Sequence, residues 1–215
     1  KSKRYSNIKY AMAIFAIAYN FILLFLFLYS GLSAGLVLFL EANILHLAVL
    51  PAYLLLVLLG YFILDLPFNF YSSFILEHKF SLSKQSLKDW FLDQLKSGLV
   101  SYLVILILTA SFYYILKISP DNWWVIVSAF WIFFSVFLAK IMPVVIIPVF
   151  FKYKKLDDES LKNRIMELAE KMKVKIIDCF EIDFSKKTLK ANAAFVGIGN
   201  TRRVILADTL KDKYS

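Results

Sequence analysis

Tyr10–Ser30 is an unbroken apolar run interrupted only by Asn20, long enough to cross a bilayer as one helix. Three further runs of the same kind follow, at about 44–66, 98–118 and 123–142. Globular proteins sit near half apolar, so with these runs a polytopic membrane domain is the expectation. The composition agrees: 60% of the residues are hydrophobic, 19% are charged, and 21 Phe and 12 Tyr supply an aromatic load suited to lipid-facing helices. A secretory signal would have a shorter apolar part and a small-residue cleavage site, so the first run reads as a spanning helix.

The connectors set the expected orientation. Lys1, Lys3, Arg4 and Lys9 precede the first span, and Lys79, Lys84, Lys88 and Lys96 lie between the second and third. The connectors 31–43 and 119–122 contain no Lys or Arg. By the bias of cationic residues toward the cytoplasm, both ends of the chain and the central connector are expected inside. The net charge of +9 is then a match to anionic lipid, with no nucleic acid implied.

Within this frame three local features stand out. Gly31–Asn43 reads as a connector, with Glu41 as its only charge. Pro67 is expected to break or kink the second span, with Asp65 and Asn69 as polar groups at membrane depth, where they face either a protein interior or the interface. Leu87–Lys96 reads as a separate amphipathic helix at the interface, with Leu87, Trp90, Phe91 and Leu95 on one face. Pro143 and Pro148 are expected to punctuate the exit from the fourth span, and residues 1–151 form the transmembrane domain.

From Lys152 the pattern becomes that of a soluble module. Asp157, Asp158 and Glu159 load the first turn of a helix reaching about Lys173, with Leu161, Ile165, Leu168 and Met172 at helical spacing. Lys175–Phe184 alternates as a strand, and Ser185–Lys190 is a basic loop. Ala191–Leu210 reads as a β-hairpin around Gly197-Ile198-Gly199-Asn200, with Arg202-Arg203 as a solvated shoulder or partners of Asp208. Cys179 is the one cysteine, so no internal disulfide forms, and it is assigned to a strand as a small apolar residue. Residues 152–215 are thus the N-terminal part of an α+β domain, too small for a sound core of their own. The chain starts on Lys and closes in what reads as a new helical start, Asp208-Thr209-Leu210-Lys211, so it reads as a piece of a longer protein.

Chemistry is sparse. His46 and His78 are the only histidines, no HExxH motif occurs, and no metal or nucleophile constellation can be assembled. From the residues alone, the expectation is a polytopic membrane protein with a cytosolic α+β module.

Several pieces nonetheless resemble the integral-membrane CAAX prenyl endopeptidases, a family of zinc metalloproteases. They are Leu66-Pro67-Phe68 with Tyr71, Phe74–Phe80, Asp93 with Lys96, Pro148–Tyr153, Asp183-Phe184-Ser185-Lys186-Lys187, Ala191-Asn192-Ala193 and Gly197–Leu210. Ser81 stands where the family usually has Gly, and Ala207 where an aromatic is common.

The resemblance implies a membrane-embedded zinc endopeptidase acting on peptide substrates with or without a prenyl group, in a bacterial inner membrane or the endoplasmic reticulum. In the family the helices enclose a chamber, and an HExxH helix follows the Asp-Thr-Leu motif; here it would lie beyond Ser215, and a further span before Lys1. The zinc would therefore belong to the parent protein, with no metal or catalytic residue in this chain and no activity of the chain alone. Asn192, Ala193, Ala194 and Phe195 match the strand that pairs with substrate, Asn192 being the side-chain contact. Asp65, Asn69 and Glu77 are candidates to line the chamber. A non-catalytic alternative stands beside this: a transporter-like protein, a scaffold or a degenerate homologue.

Overall fold

A computed structural model describes residues 2–210; Lys211, placed by sequence in a helical start, lies outside them. The chain divides into two compact units, one of residues 1–80 with 97–111 and the other of 81–96 with 112–215. Four helical stretches are long and apolar enough to cross a membrane: Lys3–Tyr29, His46–Lys79, Leu87–Ile118 and Trp123–Phe150. Their large side chains are mostly open to the surroundings, Phe21 by 69% and Leu47 by 90%, which suits a hydrocarbon solvent and would be untenable in water.

In the first unit, α1 (Ser2–Tyr29) ends at Gly31, whose φ of 76° lets the chain reverse. The predicted connector is in fact a helix, α2 (Leu32–Asn43), since beyond Gly31 nothing in it stops a helix. α3 (His46–Asn69) contains both Pro51 and Pro67.

Pro67 does not break the span. The chain runs on through a π-helical segment, Phe70–Ile75, into α4 (Leu76–Lys79). The Phe70 N–H is shared between the carbonyls of Leu66 and Pro67, and the Ser73 hydroxyl donates to the Asn69 carbonyl at 2.7 Å. The helix thus continues past Pro67, and its ladder is widened just beyond it, over Phe70–Ile75. The unit is held by polar ties between helices: Tyr19 to the Leu64 carbonyl at 3.0 Å, Ser33 to Tyr53 at 2.7 Å, and Tyr102 to the Pro51 carbonyl at 3.2 Å.

α5 (Leu87–Ile118) is one continuous helix capped by Ser86, whose hydroxyl accepts the Asp89 N–H at 3.1 Å. The expected amphipathic helix and third span therefore merge, because Ser97-Gly98 is only a weak helix former and carries no stop signal. On the predicted apolar face Trp90 is buried, while Leu87, Phe91 and Leu95 stay exposed.

In the second unit, α6 (Trp123–Ile141) continues through a second π-helical segment, Met142–Ile146, into α7 (Ile147–Phe150). The two prolines again reshape the helix without ending it.

After α7 the sheet begins. β1 (Tyr153–Lys155), β2 (Cys179–Ile182), β3 (Ala193–Val196) and β4 (Arg203–Ala207) lie in the order β1-β2-β4-β3. β2 and β4 are parallel; the outer pairings are antiparallel. The strand predicted over Lys175–Phe184 shortens to β2, and the basic loop starts with a 3-10 turn, Phe184–Lys186.

α8 (Glu159–Lys171), capped by Asp158, closes one face over a core of Leu156, Cys179 and Leu206, to which Leu161 and Ile165 add. Leu168 and Met172 share the apolar spacing but are 58% and 68% exposed. The packed positions of α8 are thus Leu161, Ile165 and Met166, in its first two turns.

Candidate functional site

The hairpin forms as β3 against β4, in the register Ala193↔Leu206, Ala194↔Ile205, Phe195↔Val204 and Val196↔Arg203. Its turn demands glycine at Gly197, where φ is 91° and a Cβ would lie 2.3 Å from the Thr201 carbonyl oxygen. Ile198 and Thr201 then close the turn: the Ile198 N–H donates to the Thr201 hydroxyl, and that hydroxyl to the Ile198 carbonyl, both at 3.0 Å.

β3 is the edge of the sheet. Its outer side pairs with no strand among the described residues, and Ala193, Ala194 and Phe195 are exposed, Phe195 by 53%. Asn192 precedes it, exposed, its carbonyl accepting the Ala207 N–H at 3.0 Å. A short, exposed edge strand is chemically a template for another extended backbone.

The ends of this strand pair are fixed by side chains that sequence patterns alone do not single out. The Asp208 carboxylate accepts the Ser185 N–H at 2.8 Å, the Ser185 hydroxyl at 2.5 Å and the Thr209 N–H at 2.7 Å. The Thr209 hydroxyl donates to the Lys190 carbonyl at 2.8 Å. Asp183 accepts the Lys152 N–H at 2.7 Å and pairs with Lys186 at 2.9 Å. Their only sequence signal is membership of the motif pieces.

Arg203, read as a hairpin shoulder or a partner of Asp208, instead lies 5.0 Å over the Phe180 ring and donates to the Tyr153 hydroxyl at 3.3 Å. Burial raises the Tyr153 pKa, against the lowering effect of that guanidinium. Burial also acts to raise the Asp178 carboxyl, but the Cys179 N–H and the ammonium groups of Lys155 and Lys162 outweigh it and hold it below the usual range. The Cys179 thiol, fully buried in β2, is pushed up by burial and by the neighbouring Asp178.

The remaining candidates sit in the other unit and are described there by themselves. Asp65 and Asn69, one helical turn apart, hydrogen-bond to each other, and both are partly buried. Glu77 is 8% exposed, paired with Lys9 at 2.9 Å and accepting from the Tyr5 hydroxyl at 2.5 Å. The structure thus brings Asp65 to Asn69 and pairs Glu77 of α4 with Tyr5 and Lys9 of α1.

His46 is exposed at the start of α3, and His78 Nδ1 is 2.8 Å from the Phe74 carbonyl with its ring against Phe74. Among the described residues no group of three or more His, Cys, Asp or Glu side chains is placed to hold a metal ion. The donor set of the described residues does not fit zinc.

Comparison with known proteins supplies context for this geometry. Residues 1–152 match the family model described as CAAX prenyl protease N-terminal, five membrane helices. The described residues hold four helices of spanning length, plus the shorter apolar α2. A metalloprotease of Bacillus subtilis named YhfN, called uncharacterized, is 26% identical over 99% of this chain and 50% of its own length. CAAX prenyl protease 1 of Saccharomyces cerevisiae is 33% identical over 71% of this chain and 34% of its own length.

The crystal structure of S. mikatae Ste24p matches 100% of this chain and 52% of that one, with a TM-score of 0.88 at 29% identity. The chain spans between a third and a half of the length of these curated relatives.

Proposed function

This chain belongs to the CAAX prenyl protease family, and from that premise we propose that it is the membrane domain and first peptidase-domain segment of a zinc metalloendopeptidase embedded in a membrane. The observation that carries the proposal is the open edge of β3, in a chain that matches Ste24p over its whole length. A peptide laid along Asn192–Phe195 would add a strand to the sheet, its backbone amides meeting those of β3 and the Asn192 amide supplying a side-chain contact. This pairing reads backbone rather than side chains, which suits a protease that accepts varied sequences, with or without a prenyl group.

In this proposal residues 1–151 form the membrane domain and 152–215 begin the peptidase domain, with both ends of the chain in the cytoplasm. Asp65, Asn69 and Glu77 line an interior space, a placement supported by the general cost of polar groups facing hydrocarbon. The zinc would be held by residues of the parent outside this chain, because the described residues do not fit it. No chemical step is placed on them. The 215-residue chain alone is therefore proposed to be inactive.

A second reading, a polytopic protein without catalysis, draws on the Asp65–Asn69 pair at membrane depth. The test is to purify the full-length parent and the 215-residue chain in nanodiscs and assay both on a fluorogenic CAAX peptide, with and without a prenyl group and a chelator. Chelator-sensitive cleavage by the parent only is expected. An inert zinc-loaded parent would favour the non-catalytic reading, and cleavage by the isolated chain would overturn the division of labour proposed here.

A further inference from the structure

Lys187 ends the 3-10 turn and begins the stretch that leads into β3. Its ammonium reaches three groups from two other segments of the same unit. It is 2.6 Å from an Asp93 carboxylate oxygen in the first turns of α5, and it donates to the Phe150 carbonyl at the end of α7 at 2.6 Å. It also lies 4.6 Å from the centroid of the Phe151 ring. The lysine and aspartate side chains are 22% and 20% exposed, so the pair is shielded far more than a surface ion pair.

The backbone beside it is held as well. The Ser83 hydroxyl donates to the Lys187 carbonyl at 2.8 Å, the Thr188 hydroxyl to the Leu82 carbonyl at 2.8 Å, and the Leu189 N–H to the same carbonyl at 2.9 Å. Asp93 is itself held by the Gln85 amide at 2.5 Å, and Lys96, one turn along α5, donates to the Val149 carbonyl at 3.0 Å.

We propose that Lys187 is a positioning residue for the edge strand, a clamp through which the start of α5 and the end of α7 fix where β3 is presented to a peptide. The proposal rests on the assignment of β3 as the substrate-pairing strand. Asn192 and Thr209 secure β3 to the rest of the sheet, but those bonds are internal to the sheet. The contacts around Lys187, by contrast, tie the approach to β3 to helices that continue into spanning segments. Phe150 and Val149 offer carbonyls that the last turn of a helix leaves without an intrahelical donor, so the two lysines also cap α7. Removing the ammonium would free the 188–192 approach, so that β3 has to be re-ordered each time a peptide pairs with it, a cost that falls on substrate binding.

The test uses the full-length protein in nanodiscs with Lys187→Met, Lys187→Arg, Asp93→Asn and the exchanged pair Asp93→Lys with Lys187→Asp. Lys187→Met is expected to raise KM for a CAAX peptide about tenfold with kcat changed less than about threefold, and Lys187→Arg to restore most of the loss. A merely structural role would lower active enzyme and kcat without moving KM.

In parallel, spin labels at Lys88→Cys and Ala191→Cys report the distance from α5 to the approach to β3; its distribution should broaden in Lys187→Met and narrow again in Lys187→Arg and the exchanged pair. If Lys187→Met does not accumulate folded, Asp93→Asn gives the same readings with the Phe150 contact intact. An unchanged KM and an unchanged distance distribution would overturn the clamp. An inert parent protein with a broadened distribution would sink the protease assignment and leave the clamp standing.

Discussion

Gly197 and Gly199 share the β3–β4 turn and both have positive φ, 91° and 57°, yet they should respond very differently to alanine. At Gly199 a Cβ would meet nothing within 4 Å, so Gly199→Ala costs only the left-handed strain, about 1–2 kcal/mol. At Gly197 the Cβ would sit 2.3 Å from the Thr201 carbonyl oxygen and 2.6 Å from its carbon, a backbone obstacle that cannot rotate away. Relief requires moving Thr201 by about 1 Å, which breaks its hydroxyl bonds to Ile198, worth about 1 kcal/mol each. Added to the strain, Gly197→Ala should cost about 3–4 kcal/mol in local stability.

Hydrogen exchange of the 193–207 backbone reads this directly. At about 1.4 kcal/mol per tenfold, opening of β3 from β4 should become some 100-fold or more easier in Gly197→Ala and only about tenfold in Gly199→Ala. Equal protection in the two variants would refute the role assigned to the Thr201 carbonyl.

Two further predictions concern the sheet core. Cys179 is fully buried with its thiol pKa raised, so a maleimide should leave it unmodified in the native protein at neutral pH and label it after denaturation; native labelling would contradict the packing of β2. Asp178 has its folded pKa below the unfolded value of about 3.9, so the folded state binds fewer protons there. Its stabilisation is complete above that value and lost as pH falls through the folded pKa, and Asp178→Asn should flatten this acid limb in a denaturation series from pH 6 to about 2. An acid limb identical in the variant would show that the contacts to Lys155 and Lys162 contribute nothing.

Apolar length made the spanning helices legible, and glycine-rich turn chemistry did the same for the hairpin, because each signal is local. What sequence misjudged were the interruptions. Pro67, Pro143 and Pro148 look like stops, but each removes only one backbone N–H, and the helical path runs on past all three. Residues 31–43 look like a connector because of two glycines, of which only Gly31 has a conformation that stops a helix. The exposure of Leu168 and Met172 was hidden as well, since periodicity shows which face is apolar and not which of its residues find a partner. β3 was legible from its residues as a strand but not as an edge, a property set by the non-local β2–β4 pairing.

The residues through which the family resemblance is recognised turn out to be largely partners of one another. Ser185 bonds Asp208, Asp183 holds Lys152, Lys187 joins Asp93 to Phe150, and Lys96 reaches Val149. None of these contacts is a catalytic arrangement. They join the sheet, the turn after β2 and the neighbouring helix ends, using partly buried charged groups that are paired. A change in one member leaves a partner's donor or acceptor partly buried and unmatched, at roughly 1–3 kcal/mol, whereas the lipid-facing apolar positions accept many side chains of similar character. A motif of this kind identifies a scaffold before it identifies a reaction, which is how a chain without a metal-binding cluster among its described residues can still declare its family.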